Sequence, residues 1–402
     1  MQRNLFETLL SHLDKKEFTI LTGARQVGKS TLLKQLEKHC RDNGKTTVFL
    51  NLENKPILNE LDKSPLNIFN YLPNTPERVI VFIDEIQYLA DPSNFLKLLY
   101  DDHVDKIKIV ATGSSAFYLD DKFKDSLAGR KKIFFLPTCS FDEYLRLSGN
   151  DDLFNELVRI QTNPAAKSIQ IEQLHQAWNS YMLYGGYPAV ITEPDKQEKI
   201  ARLQEIRDSY IKRDVLESGV QNEQAFYNLF RLLADQVGNL VNINELATTL
   251  RIKDNTVTNY LSVLQKCFHI VLLQPFYRNL RKELTKMPKV YLLDTGLRNC
   301  LLNNFQQPEE RTDKGALWEN TCFRLLIDKY GSDNVLFWRT TAGNEVDFVV
   351  PDIENPQAIE VKFDKNAIKE SKYKIFKENY PEIPLSFAWI EPFDEEFFRR
   401  IN

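Results

Sequence analysis

Through the first third of the chain, short apolar runs alternate with amphipathic stretches. FTILTG (18–23), TTVFLNL (46–52), VIVFIDE (79–85) and IKIVATG (107–113) are brief and rich in Val, Ile, Phe and Thr. Runs of that length and composition are what strands buried on both faces require. Between the first two lies KSTLLKQLEKHCRDN, whose leucines recur at helical spacing. Strand and helix in alternation predict βα crossovers and a parallel sheet, an α/β fold. After Phe141 the strand signals stop. FDEYLRLS, DLFNELVRIQ, IEQLHQAWNSYMLYG and QEKIARLQEIRDSYIKRDVLES carry the 3.6-residue apolar period of helices. From 226 to 302, helices accompany two strand-like runs, HIVLLQPF and KVYLLD. Residues 303–315 are polar and contain proline, the pattern of a linker, and 316–402 reads helix, strand, strand, helix, strand.

Bulk properties narrow the classes. A length of 402 residues favours two or three domains, and 43% hydrophobic with 27% charged residues is the mix of a folded globular chain. The net charge of -4 excludes a protein-wide cationic surface while leaving room for a local basic face. The N-terminal MQRNLFETLLSHLDKKEF places charges in every turn, unlike a signal or transit peptide, and no apolar run approaches the ~20 residues that cross a bilayer. No membrane partner is expected. Five scattered cysteines without CxxC spacing read as buried, reduced thiols of a cytoplasmic protein. Five histidines without HExxH give a zinc hydrolase no support.

The candidate chemistry begins at Gly23-Ala24-Arg25-Gln26-Val27-Gly28-Lys29-Ser30, followed by Thr31. It fits a phosphate-binding loop at every specified position, and it follows a strand and opens a helix, as that motif requires. Backbone N–H groups of the loop and the helix N-terminus favour a polyphosphate, so ATP is the expected ligand. Lys29 would contact the β- and γ-phosphates, and Ser30 would ligate Mg²⁺. Asp84 and Glu85, at the end of an apolar strand, would hold Mg²⁺ through water and polarise the attacking water. The competing role for such carboxylates is to cap the next helix. Ser114, with Thr112 as the alternative, ends a third strand where a polar group can read the γ-phosphate; helix capping is the rival account.

A polar strand end of this kind resembles the sensor position of AAA-type ATPases. Arg130, in LAGR, then offers an arginine finger acting in cis or in trans, unless Arg130-Lys131-Lys132 is only a solvated turn. More widely, GARQVGKS, FIDEIQYL, ATGSS, LAGRKKIFFLPTCSFDEYL, YGGYP, KVYLLDTGL and NEVDFVV with IEVKF occur in order. Together they resemble a bacterial and archaeal family of AAA-type P-loop ATPases fused to a C-terminal domain of unknown function. The resemblance implies a P-loop NTPase core, a helical lid, a winged helix and a nuclease-like C-terminal domain.

The residues of the later regions bear on those expectations. Ile243 to Leu250 and Thr256 to about Cys267 have helix-turn-helix spacing, leaving Thr256, Thr258 and Asn259 exposed. The connector between the two following strands holds Arg278, Arg281, Lys282 and Lys286, as the wing of a winged helix would. Duplex DNA is one candidate partner, and other proteins docking on the winged helix are the alternative. Asp294-Thr295-Gly296 reads as a turn and helix cap.

Farther on, alternation puts Glu345 with Asp347, and Glu360 with Lys362, on common strand faces. Asp347 and Glu360, with Glu319 from the preceding helix, would form an oxygen-only site for Mg²⁺ or Mn²⁺, and Lys362 would stand beside the attacking water. This order resembles the PD-(D/E)XK nuclease superfamily, a restriction-endonuclease-like α/β fold. Cross-strand ion pairs on an inactive fold are the rival account. The expected boundaries are 1–140 for the ATPase core, 141–221 for the lid, 222–303 for the winged helix and 304–402 for the nuclease-like domain. The expected function is a Mg²⁺-dependent ATPase whose nucleotide state controls DNA-directed modules, or a nucleotide-dependent protein-interaction switch. A finger working in trans would require an oligomer.

Overall fold

The computed structural model describes residues 3–113, 129–276 and 287–400, apart from the side chains of 210–218 and 399–400. It divides into two compact units, Met1–Pro137 with Lys266–Phe268, and Thr138–Gln265 with His269–Asn402.

The first unit is built on a parallel sheet. Strands β1 (Phe18–Thr22), β2 (Thr47–Asn51), β3 (Val79–Asp84), β4 (Ile107–Gly113) and β5 (Lys131–Phe135) lie in the order β2-β3-β4-β1-β5. Every pairing is parallel. Each residue of β1, β3 and β4 is buried, which is why those segments read as unbroken apolar runs. Phe18, Ile20, Val81, Ile83, Ile109 and Ala111 share a core with Phe95, Leu96 and Leu99 of the helix Pro92–His103. The one charged residue in these strands before their ends, Lys108, is satisfied internally: its ammonium donates to the carbonyls of His12 (2.9 Å) and Lys15 (3.1 Å). β5 is a strand that the apolar pattern does not announce. At the sheet edge it buries Phe134, while Lys132, Ile133 and Phe135 are exposed.

The second unit opens with the expected helices, Phe141–Leu147, Asp151–Thr162, Ile171–Tyr184 and Lys196–Ser218. Then come Glu223–Asp235, Ile243–Leu250 and Asp254–Lys266, and an antiparallel pair, β6 (Ile270–Leu273) and β7 (Lys289–Leu292). Leu246, Ala247, Val257, Leu261 and Leu264 are buried, while Thr258 and Asn259 are exposed. The cationic connector residues Arg278, Arg281, Lys282 and Lys286 lie outside the described residues.

Beyond the helix Lys314–Tyr330, a four-stranded sheet runs β11-β10-β9-β8. Its strands are β8 (Leu336–Arg339), β9 (Glu345–Val350), β10 (Gln357–Asp364) and β11 (Leu385–Glu391), with β10 and β11 parallel and the other neighbours antiparallel.

Two features tie the second unit together. Asp294 caps the helix Thr295–Leu302 through Leu297 N–H (2.9 Å), as the sequence suggested, and also accepts from Gly186 N–H (2.8 Å). Asn299 donates to the carbonyls of Met182 (3.0 Å) and Leu183 (2.9 Å), so the YGGYP and KVYLLDTGL segments form one packing contact. Separately, Phe397 and Phe398 of the last helix meet Trp178 edge to face, with Phe397 5.0 Å from it centre to centre.

The stretch 303–315 is not a loose linker. Arg311 is buried, and both it and Arg298 bond to Asp313, at 2.7 and 2.9 Å. Glu309 and Glu310 are exposed, but the Arg311–Asp313 pair anchors the stretch to Arg298. Positions 221/222 and 303/304 accordingly fall inside one compact unit.

Candidate functional site

In a parallel sheet all carboxyl ends lie at one edge, and ligands bind in the crevice there. The loop Gly23–Gly28 leaves β1 at that edge and enters the helix Lys29–Asp42. Gly23, Gln26 and Gly28 have φ of +151°, +59° and +95°. At Gly23 a side chain is excluded outright, since a Cβ would stand 2.2 Å from the Leu136 carbonyl oxygen. Arg3 buttresses the loop from behind, its guanidinium donating to Val27 O (2.7 Å) and Pro137 O (2.8 Å). Lys29 is almost wholly buried and donates to the carbonyls of Gly23 (2.9 Å) and Ala24 (2.7 Å). Burial draws its pKa down to about 8, against the pull of Glu85 and Asp84. A buried ammonium short of negative charge, inside a ring of backbone turned to positive φ, fits a polyphosphate.

Across the crevice, Ser30 Oγ donates to Asp84 Oδ1 at 3.0 Å. A hydroxyl and a carboxylate in contact are hard oxygen donors, the set that suits Mg²⁺. Thr112, at the end of β4, joins this pair to Glu85. Its hydroxyl donates to Asp84 Oδ1 (2.5 Å) and accepts from Glu85 N–H (2.9 Å). Glu85 has left-handed backbone, φ +60° and ψ +52°, and its carboxylate accepts from the Gln87 amide. The sequence reading did not find Arg3 or Gln87, and it ranked Thr112 behind Ser114. Ser114 lies outside the described residues.

Arg130 is placed elsewhere. Its carbonyl accepts from Phe18 N–H (2.9 Å), at the amino end of β1, whereas the phosphate loop leaves the carboxyl end. Four residues of strand separate those ends, about 13 Å. Its guanidinium pairs with Asp101 at 2.6 Å. The structure therefore does not bring Arg130 to the phosphate loop of its own chain.

The second unit gathers the other predicted residues. Asp347 Oδ2 accepts from Val361 N–H on β10 (2.9 Å), and Glu360 accepts from Lys362 and from the Tyr373 hydroxyl (2.8 Å). Glu319 accepts from the Tyr291 hydroxyl at 2.6 Å. Burial, reinforced by Asp347, pushes the Glu319 and Glu360 carboxyls upward. One residue at the centre was not anticipated. Lys289, 1% exposed, lies 2.6 Å from Glu345, 3.5 Å from Glu319 and 3.6 Å from Asp347. Burial opposes its charge, yet these three carboxylates hold its pKa above the ordinary value. Glu345 also accepts from Arg339 at 2.6 Å. Among the described residues, no group of three or more His, Cys, Asp or Glu side chains is arranged to hold a metal ion. No local pattern marks Lys289, since all of β7 is buried. Its partners come from two later elements.

All five cysteines are buried. No helix of the described residues is long and apolar enough to cross a membrane.

Comparison with known proteins gives three matched segments. Residues 15–145 match the AAA domain family, 175–308 a domain of unknown function (DUF8612), and 314–391 another domain of unknown function (DUF4143). The parallel-sheet segment of the chain is thus similar to AAA domains, and its C-terminal segment to DUF4143. An uncharacterized protein of Haemophilus influenzae is 24% identical over 97% of this chain and 94% of its own length. One from Methanocaldococcus jannaschii is 27% identical, covering 95% of this chain and 83% of its own. Among solved structures, AMPPCP-bound DnaA from Aquifex aeolicus aligns with 65% of this chain and 86% of its own at 13% identity, TM-score 0.31. Drosophila ORC bound to DNA aligns with 70% and 90% at 14% identity, TM-score 0.30.

Proposed function

We propose that this protein is a Mg²⁺-dependent ATPase whose nucleotide state controls the modules of its second unit. The observation that carries the reading is the contact of Ser30 with Asp84, because it unites the phosphate loop and the acidic strand tip in one crevice. Gly23 to Thr31 wrap the triphosphate, and Lys29 neutralises its β- and γ-oxygens. Ser30 and Asp84 hold Mg²⁺, which supplies charge stabilisation to the phosphoryl oxygens. Glu85 orients the water that attacks the γ-phosphorus, releasing ADP and phosphate. Thr112 keeps Asp84 and Glu85 in register, with Ser114 as a γ-phosphate reader. As a finger, Arg130 would serve a neighbouring copy.

The helix pair 243–266 with β6 and β7 supports a winged-helix reading. The mixed sheet with Asp347, Glu360 and Lys362 supports a nuclease-like one, and duplex DNA is the partner that suits both. The test is ATP turnover with Mg²⁺, with and without duplex DNA at low salt, in the native chain and in Glu85→Gln. Turnover that needs Mg²⁺, disappears in Glu85→Gln and rises with DNA is expected. Undiminished turnover in the variant would sink the assignment of Glu85, and absent DNA binding or stimulation would sink the DNA-directed part.

A second reading, a nucleotide-dependent switch with an inactive nuclease-like docking domain for other proteins, is favoured by one observation. Two of the three carboxylates proposed for the metal, Glu319 and Asp347, already have a cation in Lys289.

A further inference from the structure

The residues that would hold a divalent ion in the second unit do not fit one, oxygen by oxygen. Asp347 gives Oδ2 to Val361 N–H and faces Lys289 with Oδ1. Glu345 gives one oxygen to Lys289 and the other to Arg339. Glu319 Oε1 takes both the Tyr291 hydroxyl and Lys289. Glu360 Oε1 takes Lys362 and Tyr373, leaving its buried Oε2 without a partner. Mg²⁺ demands near-octahedral oxygen coordination, and Mn²⁺ favours the same donors. Among the described residues, Glu360 Oε2 and Glu319 Oε2 are the cluster oxygens that accept no hydrogen bond or ion pair, and two such oxygens do not approach that set. The charges are also near balance, four carboxylates facing Lys289, Lys362 and Arg339. An ammonium has donors and no lone pair, so Lys289 competes with a metal rather than binding beside it.

We propose that the Lys289 ammonium is the resident cation of the Glu319, Glu345 and Asp347 cluster, and that the four-stranded sheet functions without a divalent metal ion. The lysine comes from β7, whereas its carboxylates come from the helix Lys314–Tyr330 and β9. The ion pairs thus fasten the two-stranded element to the four-stranded sheet, the part a catalytic metal plays in a nuclease being replaced by a structural one. This deepens the docking-domain reading and rests on nothing in the nucleotide site.

The test is Mn²⁺ binding to the full-length chain without nucleotide, read from the magnetic resonance signal of free Mn²⁺. Native protein and Asp347→Asn are expected to bind identically, any ion at Asp84 cancelling between them. Lys289→Met, which leaves the carboxylates without their cation, is expected to gain a site at least about tenfold tighter than any the native cluster shows, and a melting temperature that rises with Mn²⁺. A native Mn²⁺ site lost in Asp347→Asn overturns the proposal, as does a folded Lys289→Met that gains none. If Lys289→Met does not fold, the comparison of native protein with Asp347→Asn decides alone. An inactive ATPase would leave this comparison untouched.

Discussion

Asp84 Oδ1 accepts two hydroxyls, from Ser30 and from Thr112, and Thr112 in turn accepts the Glu85 backbone N–H. The chemistry proposed for the crevice depends on that chain of contacts. Removing the ammonium in Lys29→Ala forfeits charge-assisted contacts of about 1.5–3 kcal/mol, so nucleotide affinity should fall roughly tenfold to over a hundredfold, as titration with a fluorescent ATP analogue would record. Thr112→Val keeps the shape but leaves the Glu85 N–H without its acceptor. Stability should drop by about 1–3 kcal/mol and turnover should fall with it, while Thr112→Ser restores both. Unchanged kinetics in the valine variant would show that Glu85 needs no such strut. Lys29, Ser30 and Asp84 were legible in the sequence because their motif fixes residue type and spacing. Gln87 and Lys289 were not, since each is recognised only by the side chains that meet it. For Lys289 those lie 30, 56 and 58 positions onward, at Glu319, Glu345 and Asp347.

Among the elements, legibility mostly followed burial, the exception being β2, which was read although only Leu50 in it is buried. β1, β3 and β4 are buried along their whole length and announced themselves as apolar runs, whereas β5 at the sheet edge and the four-residue β8 did not. The stretch 303–315 misled because two of its charges, Arg311 and Asp313, are paired inside the protein with Arg298 while the rest of it is polar and largely exposed. The YGGYP and KVYLLDTGL segments were visible as motifs, but their meaning needed coordinates: they are two halves of one contact. At Gly296 a Cβ would stand 2.1 Å from the Tyr184 carbonyl oxygen, and backbone on both sides has little freedom to yield. Gly296→Ala should therefore cost about 1–3 kcal/mol through overpacking, seen as a lower denaturation midpoint. A neutral substitution would mean that the contact between these segments is loose.

At the scale of the whole molecule, each unit holds an apolar cluster among its described residues, one under the parallel sheet and one around Trp338, Val346 and Phe376. Ligand and mutation should therefore act on them separately. A nucleotide that binds only the folded first unit stabilises it by about 2.7 kcal/mol at a hundredfold excess over Kd. Lys289→Met leaves buried carboxylates without a counter-charge in the second, a loss of about 3–5 kcal/mol. Calorimetric scans with a non-hydrolysable ATP analogue and Mg²⁺ should raise one transition in the native chain and none in Lys29→Ala. Lys289→Met should lower the other transition and leave the nucleotide-dependent shift intact. Were nucleotide and Lys289→Met to move the same transition, the units would unfold as one body, and nucleotide state would then reach the second unit through shared stability alone.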